Sequence, residues 1–260
     1  MSPNLRAAGS LSPSPGPAPR PQAIWSQALW EIRSSLLNGE QLLLTLVIPV
    51  VVLVAMAHAP EAIIGSSPVI DVVTPGVLAL AVMSTAFTGL AIATAFERRY
   101  GVLRLLGSTP LGRSGFLIAK TLGVLAVELI QFLLIALIAR AMGWSPKGSY
   151  VITAGVLLIG TFTFAALGLL LAGTLRAEGT LAVANLIYLV LLGLGGVVVP
   201  ASRFPSALSH LISALPSSAL ADGLRMSLMQ AQVPWLDLLI LSGWGLVAFV
   251  AVRRWFRWSP

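Results

Sequence analysis

Residues 150–173 read YVITAGVLLIGTFTFAALGLLLAG and contain no charged side chain. An α-helix rises 1.5 Å per residue, so about 20 apolar residues are enough to cross the hydrocarbon core of a bilayer. Comparable apolar stretches lie at 41–58, 69–95, 116–141, 181–200 and 234–254, although the first is short and ends at His58. The sequence therefore predicts an all-α membrane protein with six transmembrane helices.

The composition of the whole chain agrees with a location in the bilayer. Its 260 residues are 57% hydrophobic and only 10% charged, and the mean hydropathy is +0.93. A soluble domain carries about 25% charged residues, so this chain lacks the polar side chains to cover a water-facing globule of its size. The absence of cysteine excludes disulfides, thiol catalysis and thiolate metal sites.

The charge distribution predicts the orientation of the chain. The net charge of +7 comes from 16 Lys and Arg residues that lie between the apolar stretches rather than on one face, which argues against nucleic-acid binding. With the N-terminus inside, only Arg140, Lys147, Arg203 and Arg225 fall on the outer side. By the positive-inside rule, both termini are expected to be cytoplasmic in a multi-pass protein of the plasma membrane.

Two segments precede the first apolar stretch. Residues 1–22 are rich in proline and lack the apolar core of a signal peptide, so they are predicted to form a disordered cytoplasmic tail. Residues 23–38 are predicted to form an amphipathic helix in the membrane interface, with a simple extension of the first span as the alternative. Its apolar side would carry Trp25, Ala28, Leu29, Ile32 and Leu36, and its polar side Gln27, Glu31, Arg33 and Ser34. A single transmembrane domain would then occupy 23–260.

The connection at 96–119, FERRYGVLRLLGSTPLGRSGFLIA, is the most basic stretch of the chain. Over 97–107, apolar residues lie among three arginines, and a Gly-Ser-Thr-Pro sequence at 107–110 then interrupts the pattern. This pattern predicts a short amphipathic helix at the inner membrane edge. It is either a basic loop that sets the topology or a docking helix for a cytoplasmic partner.

The connection at 201–233, ASRFPSALSHLISALPSSALADGLRMSLMQAQV, is too long for a turn and too interrupted for a span. Apolar residues at helical spacing lie on both sides of Pro216. The pattern predicts an outer helical hairpin, re-entrant or lying on the surface, between spans five and six.

In this order, the features resemble the permease subunits of ABC-2 type transporters, which are bacterial exporters of drugs, polysaccharides and lipids. In that family the loop after the second span often reads E-R-x-x-G-x-L-x-x-L-x-x-[ST]-P. The matching residues are Glu97, Arg98, Gly101, Leu103, Leu106, Thr109 and Pro110, with Lys120 at the basic position that follows. The turn, the hairpin and an arginine before the last span are matched by Gly195, Gly196, Pro200, Pro205, Pro216 and Arg225. The resemblance covers 23–254, and it departs from the family at Leu215-Pro216, where Asp-Pro or Asn-Pro is usual.

The resemblance implies a non-catalytic subunit of an ATP-driven exporter of drugs or lipids. Its partners would be two copies of a cytoplasmic ABC ATPase that binds ATP and Mg, a second permease that is identical or related, and membrane lipid. The sequence contains no G-x-x-x-x-G-K-[ST] phosphate loop, so no cofactor is expected on this chain. Coupling to the ATPase would fall to Glu97, Arg98, Arg99, Tyr100, Gly101, Leu103, Arg104 and Leu106. The outer hairpin would depend on Pro205, Pro216 and Arg225.

Glu128 lies near the middle of the third apolar stretch, where a charge costs about 2.5–3.5 kcal/mol. It is a candidate pathway or coupling residue. The alternative is a structural partner for Gln131 or for a hydroxyl such as that of Thr161 or Thr163. No metal site is expected, because His210 has no second histidine nearby.

Two other functions compete with this interpretation. A secondary, ion-coupled transporter would normally show inverted repeats and broken helices, and only the outer hairpin suggests one. An intramembrane serine protease is suggested by the G-x-S-G string at 112–115, but Ser114 would need a histidine within hydrogen-bond reach. Both histidines, His58 and His210, are predicted on the opposite side of the membrane.

Overall fold

A computed structural model describes residues 19–37, 39–60 and 68–258, and every regular element within them is helical. The first four helices are α1 (Arg20–Leu37), α2 (Gly39–Ala57), α3 (Val69–Arg99) and α4 (Val102–Gly107). They are followed by α5 (Gly112–Ala141), α6 (Tyr150–Thr174) and α7 (Ala177–Leu194). A hairpin of α8 (Ser206–Ser213) and α9 (Pro216–Met229) then leads into α10 (Trp235–Trp255).

Five helices in the described part of the chain are long and apolar enough to cross a membrane, rather than the six that the sequence predicts. They are α3, α5 from Ser114 onward, α6, α7 and α10. The remaining candidate is α2, whose apolar portion Thr45–Ala57 is shorter and contains Pro49. The structure thus establishes a multi-pass helical membrane protein.

The N-terminal segment differs from its prediction in two ways. Helix α1 begins at Arg20, within the predicted tail, since a proline such as Pro21 is well accommodated in a first helical turn; residues 1–18 lie outside the described part. One residue of the predicted polar side of α1 also departs from the prediction, because Glu31 is buried together with Ala28, whereas Arg33 and Ser34 are exposed. Trp25 and Leu29 are exposed instead. Helix α1 packs along α5, and Glu31 faces that helix.

Helix α3 is the centre of the bundle, and most of its residues are buried, whereas α7 and α10 expose most of theirs. It packs against α2, α5, α6, α7 and α9. At 31 residues it is about 45 Å long, and its middle, Met83–Gly89, forms wider π-helical turns. Its first turn lies beside the α8–α9 hairpin, and its last turn leads to α4. We call these two ends of the bundle the hairpin end and the α4 end.

Helix α7 ends at Leu194, six residues before the predicted boundary at 200. Gly196 adopts a left-handed φ of 72°, a conformation that favours glycine and stops the helix. The chain then passes through buried Val197 and Val198 to the hairpin. Pro216 occupies the first turn of α9, after an extended Leu215.

Candidate functional site

A buried lysine joins three helices at the α4 end. The Nζ atom of Lys120, on α5, donates to Glu97 of α3 at 2.7 Å and to Glu31 of α1 at 3.1 Å. The Lys120 side chain is only 3% exposed, and Gln27 donates a further hydrogen bond to Glu31 at 2.9 Å. We call Lys120, Glu31 and Glu97 the Lys120 triad. Since a buried charge is strongly destabilising without its partner, the triad keeps α1, α3 and α5 connected.

Two arginines extend this arrangement to the turn between α6 and α7. The Arg98 side chain donates to the carbonyl of Leu175, and Arg99 forms an ion pair with Glu178. The second pair is more than half exposed on both sides, so it contributes little to stability. The last turn of α3 is therefore attached to α1 and α5 on one side and to the α6–α7 turn on the other.

The segment 97–107 is interrupted at one glycine rather than forming the single predicted helix. Residues 97–99 complete α3, and Gly101 has a φ of 78°, after which α4 begins at Val102. A Cβ added at Gly101 would meet no atom within 4 Å. Glycine is thus favoured at this position because the backbone is left-handed, and not because a larger side chain would lack space.

Helix α4 has one buried side and one exposed side. Leu103 is fully buried and packs with Leu111 and Phe116, and partly buried Leu106 lies against the same cluster. Tyr100 is 71% exposed, and Leu105 is 68% exposed. Arg104 is exposed beside them. Leu103 and Leu106 therefore anchor α4 to the bundle, and Tyr100, Arg104 and Leu105 are available to a partner.

Leu105 is a site residue that sequence reasoning missed. A six-residue helix is too short for its hydrophobic periodicity to separate a buried leucine from an exposed one. The family motif does not identify Leu105 either, because it specifies the leucines at 103 and 106 and allows any residue between them.

Glu128 is completely buried, and its Oε2 atom accepts a hydrogen bond of 2.5 Å from Thr161. Gln131 pairs elsewhere, since it accepts from Thr85 at 2.9 Å and donates to the carbonyl of Thr45 at 3.0 Å. Of the partners considered from the sequence, Thr161 is thus the one that contacts Glu128. The pair joins α5 to α6 in the interior of the bundle, as the structural interpretation of Glu128 requires.

Arg225 holds the hairpin end together. It lies on α9, is 7% exposed, and its guanidinium group donates to the carbonyls of Val72, Gly196 and Val197 at 3.3, 3.1 and 2.5 Å. Asp222 supplies a carboxylate at 2.7 Å. One side chain thus connects α9, the start of α3 and the turn after α7. Pro205 immediately precedes α8, as Pro216 begins α9, so both prolines lie at helix starts.

The arrangement does not assemble the catalytic pair of a serine protease. Ser114 lies in the first turn of α5 at the α4 end, whereas His210 lies in the hairpin and contacts the carbonyl of Ser206. His58 lies at the end of α2, and its ring contacts the carbonyl of Val54. Across the part of the chain that the structure describes, no group of three or more His, Asp or Glu residues is placed to hold a metal ion.

In the part of the chain that the structure describes, five helices long and apolar enough to cross a membrane define a multi-pass membrane protein. A family model described as "ABC-2 family transporter protein" matches residues 65–254. The match extends over more than half of the chain, which therefore belongs to the ABC-2 transporter family and is a membrane permease of an ABC transporter. None of the curated proteins compared with the chain matches it. Membership of this family implies partnership with an ABC ATPase.

Proposed function

We propose that the chain forms half of the substrate pathway of an ATP-driven exporter of lipophilic drugs or lipids. A second permease, identical or related, completes the pathway. Two copies of a cytoplasmic ATPase bind ATP and Mg and supply the energy. The observation that carries the proposal is the exposed surface formed by Arg104 and Leu105 of α4 together with Tyr100 just before it, at the point where several helices are joined.

The position of α4 suits it to transmit motion into the bundle. The helix is anchored by Leu103, and the turn of α3 before it carries Glu97 of the Lys120 triad. A displacement of α4 would therefore be transmitted directly to α3 and α5, and to α1 through the ion pair of Lys120 with Glu31. Closure of the ATPase dimer on ATP would move α4 and change the packing of these helices, as alternating access requires.

The proposed topology has six spans and cytoplasmic termini, with α2 as the first span. The 19 residues of Gly39–Ala57 extend over about 28 Å, close to the roughly 30 Å thickness of the hydrocarbon core. This orientation places α4 in the cytoplasm, where an ATPase can reach it, and the α8–α9 hairpin outside. Burial of α9 against α3, α6 and α10 supports a hairpin that enters the bundle rather than one lying on its surface.

The test replaces one exposed leucine at each end of the molecule. Leu105→Ala removes an anchor from the proposed docking face, and Leu211→Ala removes a leucine of similar exposure, 68% against 70%, from the hairpin. Loss of a central interface anchor weakens binding by about tenfold or more. We expect Leu105→Ala to reduce both the co-purification of an ATPase subunit and ATP-dependent transport.

Leu211→Ala is expected to leave co-purification unchanged. Equal co-purification of the ATPase with the wild type and both variants would contradict the docking role of α4. Transport in energised vesicles lacking ATP would instead support a secondary transporter.

A further inference from the structure

A groove of about 380 Å³ lies at the α4 end, where the last turn of α10 meets the end of α6. It is lined by Thr174, Arg254, Trp255, Phe256 and Arg257. None of these residues belongs to the coupling segment or to the Lys120 triad. The groove is therefore a separate feature of the same end of the bundle.

Packing against α6 holds the groove in shape. The backbone N–H of Arg257 donates to the carbonyl of Gly173 at 3.2 Å, and a Cβ added at Gly173 would lie only 2.3 Å from the Phe256 ring. The Phe256 ring also contacts that of Trp258, with 5.0 Å between their centroids. The wall carrying the two arginines is thus attached to the bundle even though the chain beyond α10 is no longer helical.

The groove carries positive charge that the described part of the chain does not neutralise. Arg254 and Arg257 are exposed, and no described carboxylate lies within ion-pair distance of either. The nearest ion pair along the α6–α7 turn already joins Glu178 to Arg99. An anion entering the groove would therefore not compete with an existing partner.

Arg98, in the last turn of α3, does not line the groove but interacts electrostatically with Arg257, which does. Arg98 is only 6% exposed, and it donates through Nη2 to the carbonyl of Leu175. Its Nη1 atom is buried and has no hydrogen-bond partner among the described residues. The guanidinium groups of Arg98 and Arg257 are also close enough to repel each other. An anion bound at Arg257 would offset this repulsion.

We propose that this groove binds the phosphate of a negatively charged membrane phospholipid. Guanidinium groups match phosphate oxygens in a bidentate geometry, and Trp255 is a side chain that favours the headgroup region of a bilayer. The proposed function enters this inference only through the topology: with the α4 end in the cytoplasm, the groove lies in the inner leaflet. The bound lipid would reduce the repulsion between Arg257 and Arg98, which lies in the last turn of α3.

The experiment measures lipid retention on the intact purified chain by native mass spectrometry. Delipidated protein in detergent is titrated with phosphatidylglycerol and, separately, with phosphatidylcholine. The test variant is Arg254→Gln/Arg257→Gln. The matched control is Arg20→Gln/Arg33→Gln, which removes the same charge from two exposed arginines of α1. A third titration repeats the first in the presence of inorganic phosphate.

We expect the wild type and the α1 control to prefer phosphatidylglycerol over phosphatidylcholine. The test variant should lose about 30-fold in affinity for phosphatidylglycerol, the effect of two arginines near an anionic headgroup. Inorganic phosphate should compete only weakly if the lipid is the ligand, whereas full displacement at millimolar phosphate would show a free-phosphate site instead.

Equal losses in the two double variants would overturn the proposal, because the attraction would then come from overall charge. A wild type without preference for phosphatidylglycerol would overturn it as well. Neither result bears on ATPase docking, which is measured separately through Leu105.

Discussion

Lys120 and Arg225 are both buried cations, one at each end of the bundle, but they are held by different kinds of partner. Lys120 pairs with the side chains of Glu31 and Glu97, which come from two other helices. Arg225 donates mainly to backbone carbonyls, those of Val72, Gly196 and Val197. Side-chain ion pairs can lengthen or exchange as helices move, whereas carbonyls are fixed by the backbone that bears them.

The difference suits the two ends to different tasks. The α4 end joins separate helices through flexible side chains, so it can relay a displacement while the helices stay connected. The hairpin end fixes α9 to α3 and to the turn after α7, so it can act as a rigid base for the same movement. Because both ends depend on a single buried cation, each can be tested by removing it.

The largest effect is expected from Lys120→Ala. The substitution leaves two carboxylates without their cation in a largely buried site, which costs about 3–5 kcal/mol for a buried pair. Thermal unfolding in detergent should show a clearly lower midpoint. The control Arg99→Gln breaks the exposed pair with Glu178 and should change stability by less than about 1 kcal/mol. Similar midpoints for the two variants would show that the triad does not hold the α4 end together.

Arg225→Ala should have the next largest effect. Each buried carbonyl that loses its donor is destabilised by about 1–3 kcal/mol, although water entering the hairpin end would offset part of this. Exposed Arg203, in the same connection, provides the control Arg203→Ala. Limited proteolysis of the 195–205 turn should accelerate in the Arg225 variant alone. Equal protection of the turn in both variants would remove the distinction between the two ends.

A smaller effect is expected from Gly101→Ala, which tests the link between α3 and α4. The left-handed φ of 78° costs a residue with a Cβ about 1–2 kcal/mol. Gly193→Ala is the matched control, since an added Cβ meets nothing within 4 Å at either glycine but Gly193 lies inside helix α7. The midpoint of thermal unfolding should fall for Gly101→Ala and stay or rise for Gly193→Ala. A fall of equal size in both would show that backbone conformation is not what Gly101 supplies.

Local signals in the sequence predicted most of the helices. The uncharged stretch at 150–173 became Tyr150–Thr174, and the proline at 216 marked the start of α9 because proline fits a first helical turn. The helix break at Gly101 could have been predicted from the same kind of local signal, since glycine often ends a helix. The expectation of one helix over 97–107 failed because that glycine adopts a left-handed conformation.

Long-range contacts account for what the sequence could not show. Glu31 was placed on the polar side of α1, but its partner Lys120 is 89 residues away in the chain. The burial of Leu103 against Leu111 and Phe116, and the consequent exposure of Leu105, depend likewise on how α4 packs. The motif thus located this segment of the chain, whereas the exposure of its individual side chains depends on tertiary structure.

The most direct test of the account is photocrosslinking in native membranes from position 105. A photoreactive phenylalanine analogue is placed at 105 in one variant and at 211 in another, two positions of nearly equal exposure at opposite ends of the molecule. The account predicts an ultraviolet-dependent adduct with an ABC ATPase subunit from position 105 and none from position 211. Absence of the ATPase from the adducts of position 105, or its equal presence in both, would contradict the assignment of α4 as the coupling helix.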